Sequence, residues 1–184
     1  MFDFILYHDR WSDLTAEDFS GYYSKERGCA ANHQYQVYER PEYEFRIDNA
    51  ATETEGVKYL EKTVEELQQA GIKVVFVHSP EVNSEEKQAR INAASVTAQK
   101  YNVPFIDFTV MDNCVVDYAT DLFDADHVNV QGATKLTHYL GEYLMNNYGL
   151  TSHAGDDSYA DWDASYEQSK TEYEGIVMKE PESE

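Results

Sequence analysis

Basic residues are scarce in this chain: 14 lysines and arginines stand against 35 aspartates and glutamates, a formal net charge of −21. A surface that acidic repels nucleic-acid phosphates at every separation that matters, which excludes a nucleic-acid binder and disfavours anionic membrane surfaces. Cysteine is rarer still. Cys29 and Cys114 are isolated thiols in no C-x-x-C or zinc-type spacing, so the sequence holds neither a disulfide framework nor a thiolate metal site. No apolar run approaches the roughly 20 residues a bilayer-crossing helix needs, so no membrane segment is expected. No signal-peptide pattern precedes the first apolar run.

Hydrophobic content is ample. At 42% of 184 residues it is enough to bury one core, which predicts one domain with appendages. Residues 2–7 are a short apolar run that reads as a strand; Thr15 is placed to cap a short helix through Tyr22; residues 24–46 mix polar and aromatic side chains with no clean period. From Thr52 the pattern sharpens. Val57, Leu60, Val64 and Leu67 form a helical stripe, Gly71 stands where a C-terminal cap belongs, and residues 73–78 read as a buried strand. A second unit follows, with Asn83 and Glu86 in capping-box spacing, Ile91, Ala94, Ala98 and Tyr101 along one face, and a strand over 103–108. Two such units predict an α/β fold with parallel strands and right-handed crossovers.

The chemistry concentrates in Asp124-Ala-Asp126-His127-Val-Asn129-Val-Gln-Gly132-Ala133. A histidine serves as a general base near neutral pH when a carboxylate fixes its tautomer and stabilises its protonated form. Three residues of loop let Asp124 reach His127. Asp126 is the rival, but adjacent side chains in an extended loop point apart, so Asp124 is the expected partner. Asn129 is placed to cap the following helix, whose face carries Ala133, Leu136, Leu140, Tyr143 and Leu144. The positive end of a helix dipole disfavours an imidazolium, so a nearby carboxylate is the more necessary if His127 takes up a proton. On open parallel sheets, ligands bind beyond the carboxyl ends of the strands, and the 124–127 loop follows the last readable strand. Asp107, inside that strand, reads as a structural carboxylate satisfied by backbone.

Beyond Gly149 the composition turns acidic, yet Tyr159, Trp162, Tyr166 and Tyr173 recur at three, four and seven, an aromatic stripe if the segment is helical. Such a stripe is expected to pack on the parent domain.

The element Asp124-x-x-His127, with Val128, Asn129, Gly132, Ala133 and the closing amphipathic helix, resembles the last motif block of the SGNH (GDSL) hydrolases. The preceding helix-strand-helix-strand run, including Pro104-Phe-Ile-Asp107-Phe, is similar to the second half of that family's flavodoxin-like fold. His8-Asp-Arg10-Trp11, Leu14 and Asp18, together with Tyr148-Gly-Leu, Asp157, Tyr159 and Trp162, resemble an envelope-associated bacterial subgroup. The resemblance implies a partial flavodoxin-like α/β domain over 1–150, an acidic aromatic helical extension over 151–178 packed on it, and a disordered tail over 179–184. It also implies acyl transfer through a serine ester, with His127 as base and Asp124 as its orienting carboxylate, and with no cofactor and no metal. The implied substrate is a small acyl group on an envelope carbohydrate or polymer, and the implied location is outside the cytoplasm.

One departure from the family pattern is as informative as the match. No Gly-Asp-Ser block follows a first strand here; Gly155-Asp156-Asp157-Ser158 comes after the final block with no strand before it, and Asn32-His33 is not assigned the family's asparagine role. The resemblance therefore implies a chain that opens near the middle of the parent fold and is inactive as it stands. Such a chain is expected to be marginally stable, to form a homodimer through an exposed sheet edge, or to belong to a longer polypeptide. A second reading is a non-catalytic relative whose acidic, tyrosine-rich surface binds a carbohydrate or protein. A third, a carboxylate cation site, lacks the alternating ligands and turning glycine of a calcium loop.

Overall fold

The computed structural model describes residues 32–41, 49–111 and 113–174. The strand expected over 2–7, the helix over 15–22, Cys29, most of 24–46, the motif residues His8 to Asp18 and the tail over 179–184 lie outside the described residues. The described residues fall into two units, 32–152 and 153–174.

In the larger unit, α1 (Glu55–Gln69) leads to β1 (Phe76–His78), then α2 (Glu85–Tyr101), β2 (Phe105–Asp107) and α3 (Val130–Tyr148). The architecture is α/β: β1 and β2 pair in parallel, in the register Phe76 to Phe105, Val77 to Ile106 and His78 to Asp107. Both strands are shorter than the apolar runs that foretold them. Val74 and Val75 are still used, as partly buried packing against the core from outside the ladder.

Each helix begins where a side chain can take up orphan N–H groups. Thr54 accepts from Val57 N–H, and Ser84 accepts from Lys87 N–H. The cap of α2 is thus Ser84 and not Asn83; the asparagine instead donates its amide to Gln88. Gly71, at φ 73°, stands just past α1 as expected, and Gly149, at φ 68°, ends α3. The face of α2 also differs from the stripe read in sequence. Gln88, Asn92, Ala93, Thr97 and Ala98 are the buried positions, and Gln88 is satisfied by donating to Asn92 at 2.9 Å. Mutual hydrogen bonding lets a polar pair occupy a face that the apolar pattern assigned elsewhere.

Two clusters make the core. Val64, Ala98 and Val103 join α1 to α2 and to the ring pair Phe76 and Phe105. Ile106, Phe108, Val116, Tyr118, Leu122 and Leu136 pack the loop after β2 beneath α3. The second cluster holds the long 108–129 connection in place without regular structure. Residues 32–40 are stitched across it: Gln36 N–H donates to Leu122 O, Tyr38 N–H to Tyr118 O, and the Arg40 guanidinium to the carbonyls of Thr109 and Met111.

In the smaller unit a short 3-10 turn, Asp157–Tyr159, precedes α4 (Ala160–Glu174). The helix read in sequence is present. Tyr159, Trp162 and Tyr166 are 39%, 55% and 63% exposed, so the aromatic stripe presents much of its surface to solvent.

Candidate active site

Residues 122–128 fold back tightly on themselves. Leu122 bridges Val128 in antiparallel fashion, and Phe123 N–H donates to His127 O at 2.8 Å. Inside this turn Asp124 Oδ1 accepts the N–H of Asp126 at 2.8 Å, an Asx turn that aims the carboxylate at the residue following. His127 Nδ1 lies 2.8 Å from Asp124 Oδ1 and 3.0 Å from Oδ2. The two residues singled out in sequence are therefore in direct contact. Burial works to raise the Asp124 carboxyl, but the hydrogen bonds from Asp126 N–H and His127 outweigh it and hold the group below the usual carboxylate range. The imidazole is 68% exposed, and its Nε2 meets no hydrogen-bond partner among the described residues.

Local sequence explains why this turn is held firmly. Asn129 caps α3, accepting from Gln131 and Gly132 N–H, while its own amide donates to Thr120 O and its N–H to Asp121 O. Gly132 is required: a Cβ there stands 2.5 Å from Asp121 O. Asp121 is fully buried, paired with Lys135 at 2.5 Å and accepting from Asp117 N–H at 2.7 Å. The motif Asn129-x-x-Gly132-x-x-Lys135 thus clamps the start of α3 onto the 117–121 turn, one residue before the bridge that closes the His127 loop.

A second histidine lies at the carboxyl ends of the strands. His78 and Asp107, register partners at the last positions of β1 and β2, meet with Nδ1 3.0 Å from Oδ1. The other ring nitrogen, Nε2, lies 3.0 Å from Glu81 Oε1. A neutral imidazole has one N–H, so two carboxylate contacts require the imidazolium. Burial works against the charge on His78, but Asp107 and Glu81 together keep its pKa above the ordinary value. Burial likewise pushes the Asp107 carboxyl up, and the bonds from His78 and Thr109 more than reverse this, so it titrates below its ordinary range. Asp107 does accept a backbone N–H, from Thr109 at 3.0 Å, as its structural reading implied, but it also takes the Thr109 hydroxyl and His78.

The two histidines share a frame. Lys87, on α2, reaches Glu81 Oε2 at 3.4 Å and Asp126 Oδ1 at 2.5 Å. Val82 N–H donates to Ala125 O at 2.7 Å, joining the loop after β1 to the His127 turn through backbone. The rival carboxylate Asp126 therefore faces Lys87 and not His127. Sequence reasoning missed His78, Glu81 and Lys87. The available signal was positional: two neighbouring strands each carry a titratable residue at or next to the carboxyl end.

No protein-family model matches this chain, and no curated protein or solved structure matches it either. Among the described residues no helix is long and apolar enough to cross a membrane, and no group of three histidine, cysteine or acidic side chains is placed to hold a metal ion. Cys114 is a half-buried free thiol.

Proposed function

We propose that Asp124 and His127 are the orienting carboxylate and general base of an SGNH-type serine ester hydrolase or acyltransferase, acting on a small acyl group borne by an envelope carbohydrate or polymer. The observation that carries this reading is the 2.8 Å contact between Asp124 and His127 Nδ1, with Nε2 left open on an exposed ring. In that role Nε2 takes the proton of the attacking serine hydroxyl, Asp124 stabilises the imidazolium, and the proton returns to the departing oxygen. Water or an acceptor hydroxyl then releases the acyl group from the serine ester. The proposal places the serine and the oxyanion donors outside the described residues. It also takes the β1-α2-β2 unit as part of a flavodoxin-like sheet, supported by parallel pairing and by one histidine-carboxylate contact at the strands' carboxyl ends and a second in a later loop tied by backbone to the loop after β1.

The deciding experiment is fluorophosphonate labelling combined with acetyl-ester hydrolysis. This chain alone is expected to stay unlabelled. An SGNH-type polypeptide that joins a Gly-Asp-Ser strand to this Asp124–His127 block is expected to label and to turn over ester, and to lose both in His127→Ala. Labelling of that polypeptide that is indifferent to His127→Ala sinks the reading.

One observation favours a second reading, a carbohydrate- or protein-binding relative without catalysis: the exposed rings of Tyr159, Trp162 and Tyr166 on an acidic helical segment. Tryptophan fluorescence during titration with an oligosaccharide separates the two. A saturable change abolished by Trp162→Ala, in a protein with no esterase activity, favours binding.

A further inference from the structure

We propose that His78 is a positioning residue for the Asp124–His127 pair, acting as an imidazolium that holds Glu81, which with Asp126 fixes Lys87, so that Asp126 is kept off the His127 ring. The inference rests on Asp124 and His127 being the functional pair, and its readout does not involve turnover.

The chain of contacts is continuous. Asp107 Oδ1 holds Nδ1 of the ring from β2, Glu81 Oε1 holds Nε2, Lys87 binds Glu81 Oε2 from α2, and the same ammonium binds Asp126. Around this line, Thr109 donates twice to Asp107, and the Tyr118 hydroxyl approaches the Glu81 carbonyl at 3.4 Å. His78 and both its carboxylates are largely sheltered, at 19%, 10% and 18% side-chain exposure, where a charge mismatch is felt more than at the surface. When His78 loses a proton, one of its nitrogens turns a lone pair toward a carboxylate oxygen. Glu81 is the less firmly held partner, tied otherwise only by Lys87 at 3.4 Å, whereas Asp107 takes two shorter bonds from Thr109, and with Glu81 goes one of the two carboxylates on Lys87.

Two carboxylates stand within three residues of His127 in the chain, and only the one in contact with Nδ1 sets the tautomer. Without Glu81, Lys87 stays paired with Asp126 but is no longer anchored beside β1, so the second carboxylate is no longer held in place away from the ring. The titration of His78 is therefore felt at His127, although the two rings share no hydrogen bond.

Histidine ring 15N NMR of this chain across pH 5 to 9 tests this, with Lys87→Met as the relay-broken variant and Glu81→Gln as a second break. Wild-type His127 signals are expected to show a second inflection at the pH where His78 deprotonates. In Lys87→Met that inflection is lost while His78 still titrates above its ordinary range. Lys87 is 44% exposed and its substitution leaves the core intact, so the variant is expected to keep the wild-type circular dichroism. A wild-type His127 curve with one inflection, or a second inflection that survives both substitutions, overturns the relay. Coupling that is present while His127→Ala leaves esterase activity unchanged overturns the acyl-transfer reading and spares the relay.

Discussion

His127 and His78 are both histidines against carboxylates near the open ends of one small parallel sheet, yet they are built for opposite purposes. His127 has one nitrogen engaged and the other open to solvent. His78 has both nitrogens engaged, at 3.0 Å each, and is sheltered. A base must be able to accept a proton, and a doubly bonded imidazolium cannot. The count of satisfied ring nitrogens therefore separates a group available for chemistry from one that holds structure, where burial or charge alone would have ranked His78 first.

The sharpest way to break this contrast is to neutralise each carboxylate in turn. In an SGNH-type polypeptide that joins a Gly-Asp-Ser strand to this block, Asp124→Asn is expected to lower ester turnover about 10³-fold or more, because an amide no longer selects the right tautomer or stabilises the imidazolium. Asp126→Asn is expected to cost far less, since its partner is Lys87. An equal loss from the two, read as kcat/KM, transfers the orienting role to Asp126.

Next in size is the frame beneath His127. Gly132→Ala drives a methyl into Asp121 O, a backbone atom that cannot swing aside. The expected cost is about 1–3 kcal/mol in urea unfolding, the range for forced overpacking. A cost near zero means that α3 can slide on the 117–121 turn, and that the His127 loop is less tightly fixed than the contacts imply.

Much of the His127 side was legible in sequence because it is local. The Asx turn, the Asn129 cap and the Asp124 contact all join residues within three positions, where spacing alone fixes geometry. The helices were legible for the same reason, apart from a one-residue shift at Ser84 and the polar face of α2. The His78 side was not legible, because Asp107 is 29 residues away and Asp126 is 39 residues from Lys87. Those contacts exist only after the parallel register is set. Strand length failed likewise: valines at 74 and 75 pattern as strand, but packing without ladder bonds satisfies them equally well.

The pH dependence of stability sharpens the comparison further. The folded-state pKa of His78 lies above the unfolded value near 6.5, so its contribution is full below that pH and is lost as pH rises through the raised value. Asp107 lies below its ordinary 3.8, so its contribution is present above that pH and is lost on acidification. Both are in force between these limits. Urea midpoints are expected to fall from pH 6.5 upward in wild type, and to fall less over the same range in His78→Gln. Parallel slopes in the two proteins show that the ring is not the imidazolium its contacts demand.

The smallest effect comes from a cap remote from both histidines. Thr54 accepts Val57 N–H at the start of α1, and Thr54→Ala is expected to cost about 1 kcal/mol. The loss is global, since α1 packs Val64 into the core cluster with Ala98 and Val103. It is also expected to leave the His127 and His78 ring resonances at their wild-type positions across the titration, because no polar contact of Thr54 reaches either loop. Movement of the His127 signals in this variant at pH 7 means that general loosening, and not the Lys87 connection, is what couples the two histidines. The comparison between a free and a fully engaged imidazole then reduces to a difference in exposure.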